Sequence, residues 1–380
     1  MKKIWYNGNI VIPAKGDSLT KPGGVRRSCC KGAQRNMDFL NHDKEFDVIS
    51  MGEIMLRLSP MGQERLAQCE VLEKRPGGSE LNVVSGISLL GLRTAIVTKV
   101  PDNDMGRFIK NKIRFYGISD DYLIYDSAPD TRVGIYYYEG GAYPRKPSVL
   151  YDRRHSSINH ISFDEIDERI FSSTRVFHTS GITLALGQNT RDTAVNMIRR
   201  FKENGALISF DVNYRANLWG EEEARETIRS ILPYVDILFV SEETSRRMMQ
   251  KTGTLQEMMK SYCTEFGTKI VASTHRVVKS PKCHSFNSTI YVAEEDKCYT
   301  GKAYEDIDVI DRIGSGDAYV AGVLFGLIQY NSVVQAIEFG NASSAVKNTI
   351  LGDMPASEFG EIKRVIDLHN SDHDTGELNR

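Results

Sequence analysis

The stretch Ile310-Asp311-Arg312-Ile313-Gly314-Ser315-Gly316-Asp317-Ala318-Tyr319 decides the reading of this chain. Apolar Ile307, Val309 and Ile310 lead into it, and the apolar helical pattern of Ala318 to Leu327 leads out. A Gly-Ser-Gly turn between a strand and a helix leaves backbone N–H groups free at the helix N-terminus. Those donors and the helix dipole attract anions, phosphate above all. Asp317 follows in the first helical turn. A carboxylate beside an anion hole is a poor phosphate binder. It makes sense there if it takes a proton from a hydroxyl that attacks the phosphate. The plain alternative is a helix-capping acid, since acids favour the first turn, and this segment alone weighs the two about equally. Two other phosphate loops are excluded. The dinucleotide fingerprint needs a third glycine where Tyr319 stands, and no Gly-Lys-Ser/Thr triplet of a Walker A loop occurs in the chain.

Outward from this turn, short apolar runs alternate with helical stretches. Asp47 to Gly52, Thr94 to Val100, Leu207 to Val212, Ile237 to Val240 and Lys269 to Ala272 read as buried strands. Ser79 to Leu90, Thr190 to Glu203 and Glu221 to Ile231 read as helices between them. That alternation predicts an α/β fold, a mostly parallel sheet with helices on both faces. Two stretches break the rhythm. Residues 56–73 and 133–153 are β-rich, notably Val133-Gly134-Ile135-Tyr136-Tyr137-Tyr138, and neither is flanked by a crossover helix. They predict either a small separate sheet or an ordinary edge hairpin.

Composition narrows the function classes. The chain has 380 residues, 41% hydrophobic and 26% charged, which is ordinary globular composition. A net charge of −2 offers no global basic field for nucleic acid. No apolar run approaches the roughly 20 residues a membrane span needs, and no apolar core follows Met1-Lys2-Lys3-Ile4, so neither a membrane anchor nor a signal peptide is expected. Six scattered cysteines without a Cys-x-x-Cys pair give little support to a zinc site and suit reduced thiols in the cytoplasm. Residues 1–44 stand apart, with nine Lys/Arg against three Asp/Glu and no periodic apolar pattern. They read as a disordered extension. A polar tail is expected over 367–380.

The central segment resembles the signature of the ribokinase-like (pfkB) sugar kinases, and it does not stand alone. Pro76-Gly77-Gly78-Ser79-Glu80-Leu81-Asn82-Val83 followed by Leu89-Leu90-Gly91 resembles the family's N-terminal signature, and Ser209-Phe210-Asp211-Val212-Asn213-Tyr214-Arg215 its mid-chain element. Gly52-Glu53-Ile54-Met55-Leu56-Arg57-Leu58-Ser59-Pro60, Tyr151-Asp152-Arg153 and Thr179-Ser180-Gly181-Ile182-Thr183 are similar to the family's 2-keto-3-deoxygluconate kinases. The resemblance covers about Phe46 to Ile366 and implies a ribokinase-like kinase domain over 45–366, with the two β-rich stretches as a lid over the sugar.

The resemblance also implies roles. Gly314, Ser315 and Gly316 form the anion hole and Asp317 is the catalytic base. Ser241, Thr274, Arg276 and Asn341 contact ATP. Gly78, Tyr136, Tyr151, Arg153 and Arg215 hold a sugar acid. Two arginines suit a carboxylate, which a guanidinium pairs bidentately. For any one of them a surface salt bridge is the plainer reading. ATP and Mg²⁺ are the implied cofactors, and pairing of two copies through the lid is implied as an assembly. The chain departs from the family at Ser241-Glu242-Glu243-Thr244, where Thr244 replaces a metal-organising Glu, and at Ser273 to Arg276, where a glycine-rich loop is missing. Glu242 or Glu243 is the candidate replacement, and the metal-binding residues stay open. The expected activity is phosphorylation of 2-dehydro-3-deoxy-D-gluconate at its terminal hydroxyl. The rivals are a neutral-sugar kinase such as a fructokinase, a non-catalytic sugar-acid sensor, and a nucleic-acid binder working through the basic extension.

Overall fold

The structure, a computed structural model, describes residues 43–371. The extension expected over 1–44 lies outside the described residues except for Asp43 and Lys44, whose Nζ donates to the Ser172 carbonyl at 2.8 Å.

The strands are β1 (Phe46–Met51), β2 (Met55–Pro60), β3 (Leu72–Gly77), β4 (Thr94–Pro101), β5 (Leu123–Asp126), β6 (Ile135–Glu139), β7 (Ser148–Asp152), β8 (Thr174–Ser180), β9 (Leu207–Asp211), β10 (Ile237–Phe239), β11 (Ile270–Ser280), β12 (Cys283–Val292), β13 (Lys297–Thr300) and β14 (Tyr304–Asp308). The helices are α1 (Ser79–Leu89), α2 (Asp104–Phe115), α3 (Gly181–Ala185), α4 (Gln188–Glu203), α5 (Glu221–Ile231), α6 (Glu242–Arg247), α7 (Leu255–Phe266), α8 (Ser315–Tyr330), α9 (Val333–Asn348) and α10 (Phe359–Asn370). The large sheet runs β13-β12-β11-β10-β9-β8-β1-β4-β5, with β14 also pairing with β12. It is parallel from β11 to β5 and antiparallel at the β12 end. This is the mostly parallel α/β architecture that the alternation predicts, and it agrees with the ribokinase-like fold that the resemblance implies. The parallel strands are apolar throughout because helices cover both faces: Val48, Ile49, Phe177, Ile208 and Leu238 are fully buried.

A separate sheet, ordered β3-β2-β6-β7, stands where the β-rich stretches are expected to form a lid, with β3 running on past Glu73 to Gly77. One face carries Met55, Arg57, Tyr136, Tyr138 and Tyr151, as the pairings Arg57↔Tyr136 and Tyr136↔Tyr151 require. Met55, Tyr136 and Tyr138 pack together with Ile313, next to the anion turn.

Two boundaries differ from expectation. The strand expected at Lys269 to Ala272 continues to Ser280 and pairs antiparallel with β12 along its length. Thr274, Val277 and Val278 sustain a strand until Ser280-Pro281-Lys282 turns it, so a hairpin stands where the family's glycine loop is missing. The tail begins later than 367, because α10 runs to Asn370. His369 stacks on Tyr304 with ring centroids 3.8 Å apart, and its carbonyl accepts from Lys302 Nζ at 2.6 Å. Among the described residues no helix is long and apolar enough to cross a membrane, and no group of three His, Cys, Asp or Glu side chains is placed to hold a metal.

Candidate active site

The anion turn is built around Gly314, the N-cap of α8, in left-handed conformation with φ 81°. A Cβ there would run into the main-chain oxygen of Asp353, so only glycine fits. The Ser315 N–H bonds back to the Arg312 carbonyl at 3.2 Å. The N–H groups of Gly314, Gly316 and Asp317 have no acceptor among the described residues. Of the three residues expected to form an anion hole, Gly314 and Gly316 have amides without an acceptor among the described residues, as does Asp317, while the Ser315 amide is engaged.

Asp317 is 238 residues from its first partner in sequence: Ser79 Oγ donates to Oδ1 at 2.7 Å. Asn82 Nδ2 donates to Oδ2 at 2.7 Å. Asn213 Nδ2 in turn donates to Ser79 Oγ at 3.0 Å, so the mid-chain element orients the hydroxyl that orients the Asp317 carboxylate. Burial raises the Asp317 pKa, against the pull of Asn82, Ser79 and Arg215. A raised but ionisable carboxylate, with lone pairs left after two hydrogen bonds, suits a general base.

Beside it opens a cleft of about 190 Å³, lined by Asp211, Asn213, Arg215, Ser241, Thr244, Thr274 and Gly316. Ser241 caps α6, accepting from the Thr244 N–H at 3.1 Å and donating to Thr244 Oγ1 at 2.8 Å. Neither Glu242 nor Glu243 lines the cleft. Glu242 pairs with Arg246 at 2.7 Å and Glu243 faces Arg247 at 3.9 Å. Of the lining residues Asp211 is the one carboxylate. Burial and the nearby Asp317 push its pKa up to about 7, with Arg215 opposing.

The sequence profile of the pfkB family of carbohydrate kinases matches residues 45–357. The chain belongs to that family. It is 32% identical over 320 residues to a 2-dehydro-3-deoxygalactonokinase of Haloferax volcanii, covering 84% of this chain and 96% of the relative. It is 27% identical over 332 residues to a 5-dehydro-2-deoxygluconokinase of Clostridium beijerinckii, covering 85% and 94%. The crystal structure of a 2-dehydro-3-deoxygluconokinase from Thermotoga maritima superposes with a TM-score of 0.80 at 31% identity, covering 86% of this chain and 100% of the other.

Within this pfkB kinase the expected site residues divide. Gly316 meets Arg215, Ser241 and Thr274 at one cleft, with Asp317 next to it in sequence. Arg276 follows on the same face of β11, two residues beyond Thr274, and the nearby Arg312 cation lowers its pKa beyond the effect of burial. Asn341 is not brought to this cleft. It accepts from Ser288 Oγ at 2.7 Å and lines a separate cavity of about 160 Å³ with Tyr299, Ile337 and His369.

On the acceptor side, Gly78 is the N-cap of α1, where a Cβ would run into the Glu53 carbonyl. Tyr136 is buried and donates its hydroxyl to Asp353, while Tyr151, 39% exposed, lies 5.8 Å from the Tyr136 ring. The two arginines differ. Arg215 is exposed, donates to the Tyr214 carbonyl at 3.1 Å and has no carboxylate ion pair among the described residues. Arg153 is paired with buried Glu53, Nε to Oε2 at 2.8 Å, and Glu53 also accepts from Ser156 at 2.5 Å. Its charge is already matched within the protein.

Sequence reasoning missed Arg57. Its guanidinium bridges Asp311 at 2.6 Å and Asp353 at 2.8 Å, all three nearly fully buried, and so ties the lid to the loops around the anion turn. Asp311 also accepts from the N–H groups of Ile313 and Gly352, both at 3.1 Å. Arg57, Ser79 and Asn82 lay inside the quoted motifs. Nothing local marked Asp353.

Proposed function

We propose that this pfkB kinase transfers the γ-phosphate of Mg·ATP to the terminal hydroxyl of 2-dehydro-3-deoxy-D-gluconate, giving the 6-phosphate and ADP. The observation that carries this reading is Asp317, oriented by Ser79 and Asn82 and standing directly beside amides with no acceptor at the α8 N-terminus. The hydroxyl is activated as Asp317 accepts its proton. The amides of Gly316 and Asp317 and the α8 dipole stabilise the charge spreading over the transferred phosphoryl group. Ser241, Thr274 and Arg276 hold the nucleotide, and Arg215 offers an unpaired guanidinium. A cleft with one carboxylate fits magnesium, which is bound by one or two carboxylates together with phosphate oxygens. Asp211 is the residue that would hold it, and the ion would neutralise phosphate charge there.

The substrate's carboxylate is read chiefly by Arg215, because Arg153 is engaged by Glu53. All three relatives carry names of keto-deoxy sugar-acid kinases, which supports an acid over a neutral sugar. A second reading, the galactonate-derived acid, is favoured by the Haloferax relative. A coupled ADP-release assay over both 2-dehydro-3-deoxy acids, 5-dehydro-2-deoxygluconate, fructose, ribose and adenosine tests the proposal. Turnover of a sugar acid supports it. Preference for fructose or ribose overturns it.

A further inference from the structure

Lys347 sits in the last turn of α9 and is 1% exposed. It has no part in the chemistry above. Its Nζ donates to two main-chain carbonyls, Asp311 at 3.2 Å and Ile350 at 3.0 Å. No carboxylate oxygen lies within 4.0 Å of it among the described ion pairs. A buried ammonium is expensive unless it is paired, so this placement calls for an explanation.

The two carbonyls belong to the two segments that meet at Gly314. Asp311 begins the approach to Gly314, and Ile350 begins the loop that ends at Asp353, whose main chain packs on Gly314. The same end of α9 holds the approach a second way, since the Asn348 carbonyl accepts from the N–H groups of Ile310 at 2.8 Å and Asp311 at 3.1 Å. Lys347 therefore joins both walls of the turn through one cation. The void beside it measures about 10 Å³, room for about one water at most, so no hydrated ion can stand in for it. The charged groups around it are Asp311, Asp353 and Asp317, which attract it, and Arg57, which repels it. Its charge in turn favours the ionised form of Asp317.

We propose that Lys347 is a positioning residue for phosphoryl transfer: its ammonium fixes the two main-chain segments that meet at the Gly314–Asp317 turn and adds a positive charge near the bound phosphate. The inference rests on the kinase reading and gives a purpose to a buried charge. Burial brings the Lys347 pKa down to about 8, so most of the charge is present at neutral pH and it is lost as pH rises through that value.

The test compares wild type, K347M and K347R by calorimetric titration with Mg·ATP in the absence of acceptor, by turnover with whichever acceptor the panel identifies, and by melting temperature. Methionine fills similar volume without charge. Because removing a buried charge offsets the two lost hydrogen bonds, K347M should melt within a few degrees of wild type. It should bind Mg·ATP about tenfold more weakly and lose about 100-fold in kcat, as a displaced site does. Wild-type affinity should fall as pH passes about 8, while K347R, whose cation does not titrate there, should keep its affinity to higher pH. A K347M protein with affinity and kcat within about threefold of wild type overturns the proposal, whatever its melting temperature. If K347M does not fold, the wild-type profile decides: unchanged Mg·ATP affinity from neutral pH to well above 8 overturns it. A wild type that binds Mg·ATP but phosphorylates no sugar acid defeats the substrate reading alone, and the nucleotide titrations still judge Lys347.

Discussion

Replacing Arg215 by Ala isolates the charge that should read the substrate's carboxylate. Arg215 is exposed and has no ion pair with a carboxylate among the described residues, so its loss should barely change the melting temperature. A hydrogen bond to a charged group is worth about 1.5–3 kcal/mol, which predicts a loss of about ten- to a hundredfold in kcat/KM for the sugar acid. Part of any loss will not be specific, because Arg215 also opposes the raised pKa values of Asp211 and Asp317. The readout is therefore the ratio between the acid and an analogue with its carboxylate reduced to an alcohol. Arg153→Ala should behave differently. It strands Glu53, 3% exposed, without its partner, and breaking a buried pair costs about 3–5 kcal/mol. That corresponds to a melting temperature lower by about 5–10 °C. Measuring kcat/KM for acid and alcohol, with melting curves, separates recognition from folding. If Arg215→Ala slows both acceptors equally, or neither, the arginine does not read a carboxylate and the substrate moves toward a neutral sugar.

Asp317→Asn keeps size but removes the proton acceptor, so kcat should drop by about 100-fold or more with Mg·ATP binding retained by calorimetry; near-normal turnover would remove Asp317 from the mechanism. In the wild type the acid limb of the pH–rate profile should lie above the ordinary aspartate range, since burial raises this pKa and only the ionised form accepts a proton. Arg57→Met leaves Asp311 and Asp353 buried together without their cation, and thermal denaturation should show a loss of about 3–5 kcal/mol. His178, fully buried, has its pKa lowered from 6.5 to about 3, so the unfolded chain binds a proton that the folded chain refuses. Its contribution to stability is full above pH 6.5 and is lost progressively as pH falls toward 3, which urea titrations at several pH values should reveal and His178→Asn should flatten. Deleting residues 1–42 should leave kcat and melting temperature unchanged, and a dead or insoluble product would show that the extension packs on the kinase domain.

Much of the site was legible because its signals are local. The Gly314–Asp317 turn, the helix start at Ser79 and the mid-chain element at Asp211 each pair a strand end with glycine or a capping residue, and such patterns depend only on near neighbours. α5 was read to the residue, since its apolar spacing ends cleanly after Gly220 and at Ile231. The state of Arg153 was not legible for the converse reason. Its motif is recognisable, but whether its charge is free depends on Glu53, 100 residues away. Asn341 followed the family position, and only packing shows it bonded to Ser288 beside another cavity. β11 reaches further than expected because, where the glycine-rich loop is missing, β-forming residues beyond Ala272 extend the strand.

By itself the sequence determined the strand and helix alternation, the β-rich stretches of the small sheet, and a glycine turn followed by a carboxylate at a helix start. Period and turn chemistry are properties of contiguous residues. Tertiary structure alone decided how charges are used. Arg57 and Asp353 meet across 296 residues, Ser79 and Asp317 across 238, and the Lys347 ammonium finds two carbonyls rather than a carboxylate. A buried charge takes its meaning from the groups within a few ångströms of it, because at that range in a low-dielectric interior the nearest partner outweighs all others. No periodicity or local spacing encodes which distant groups those will be, so a motif can nominate an arginine while only the fold shows whether it is free to bind.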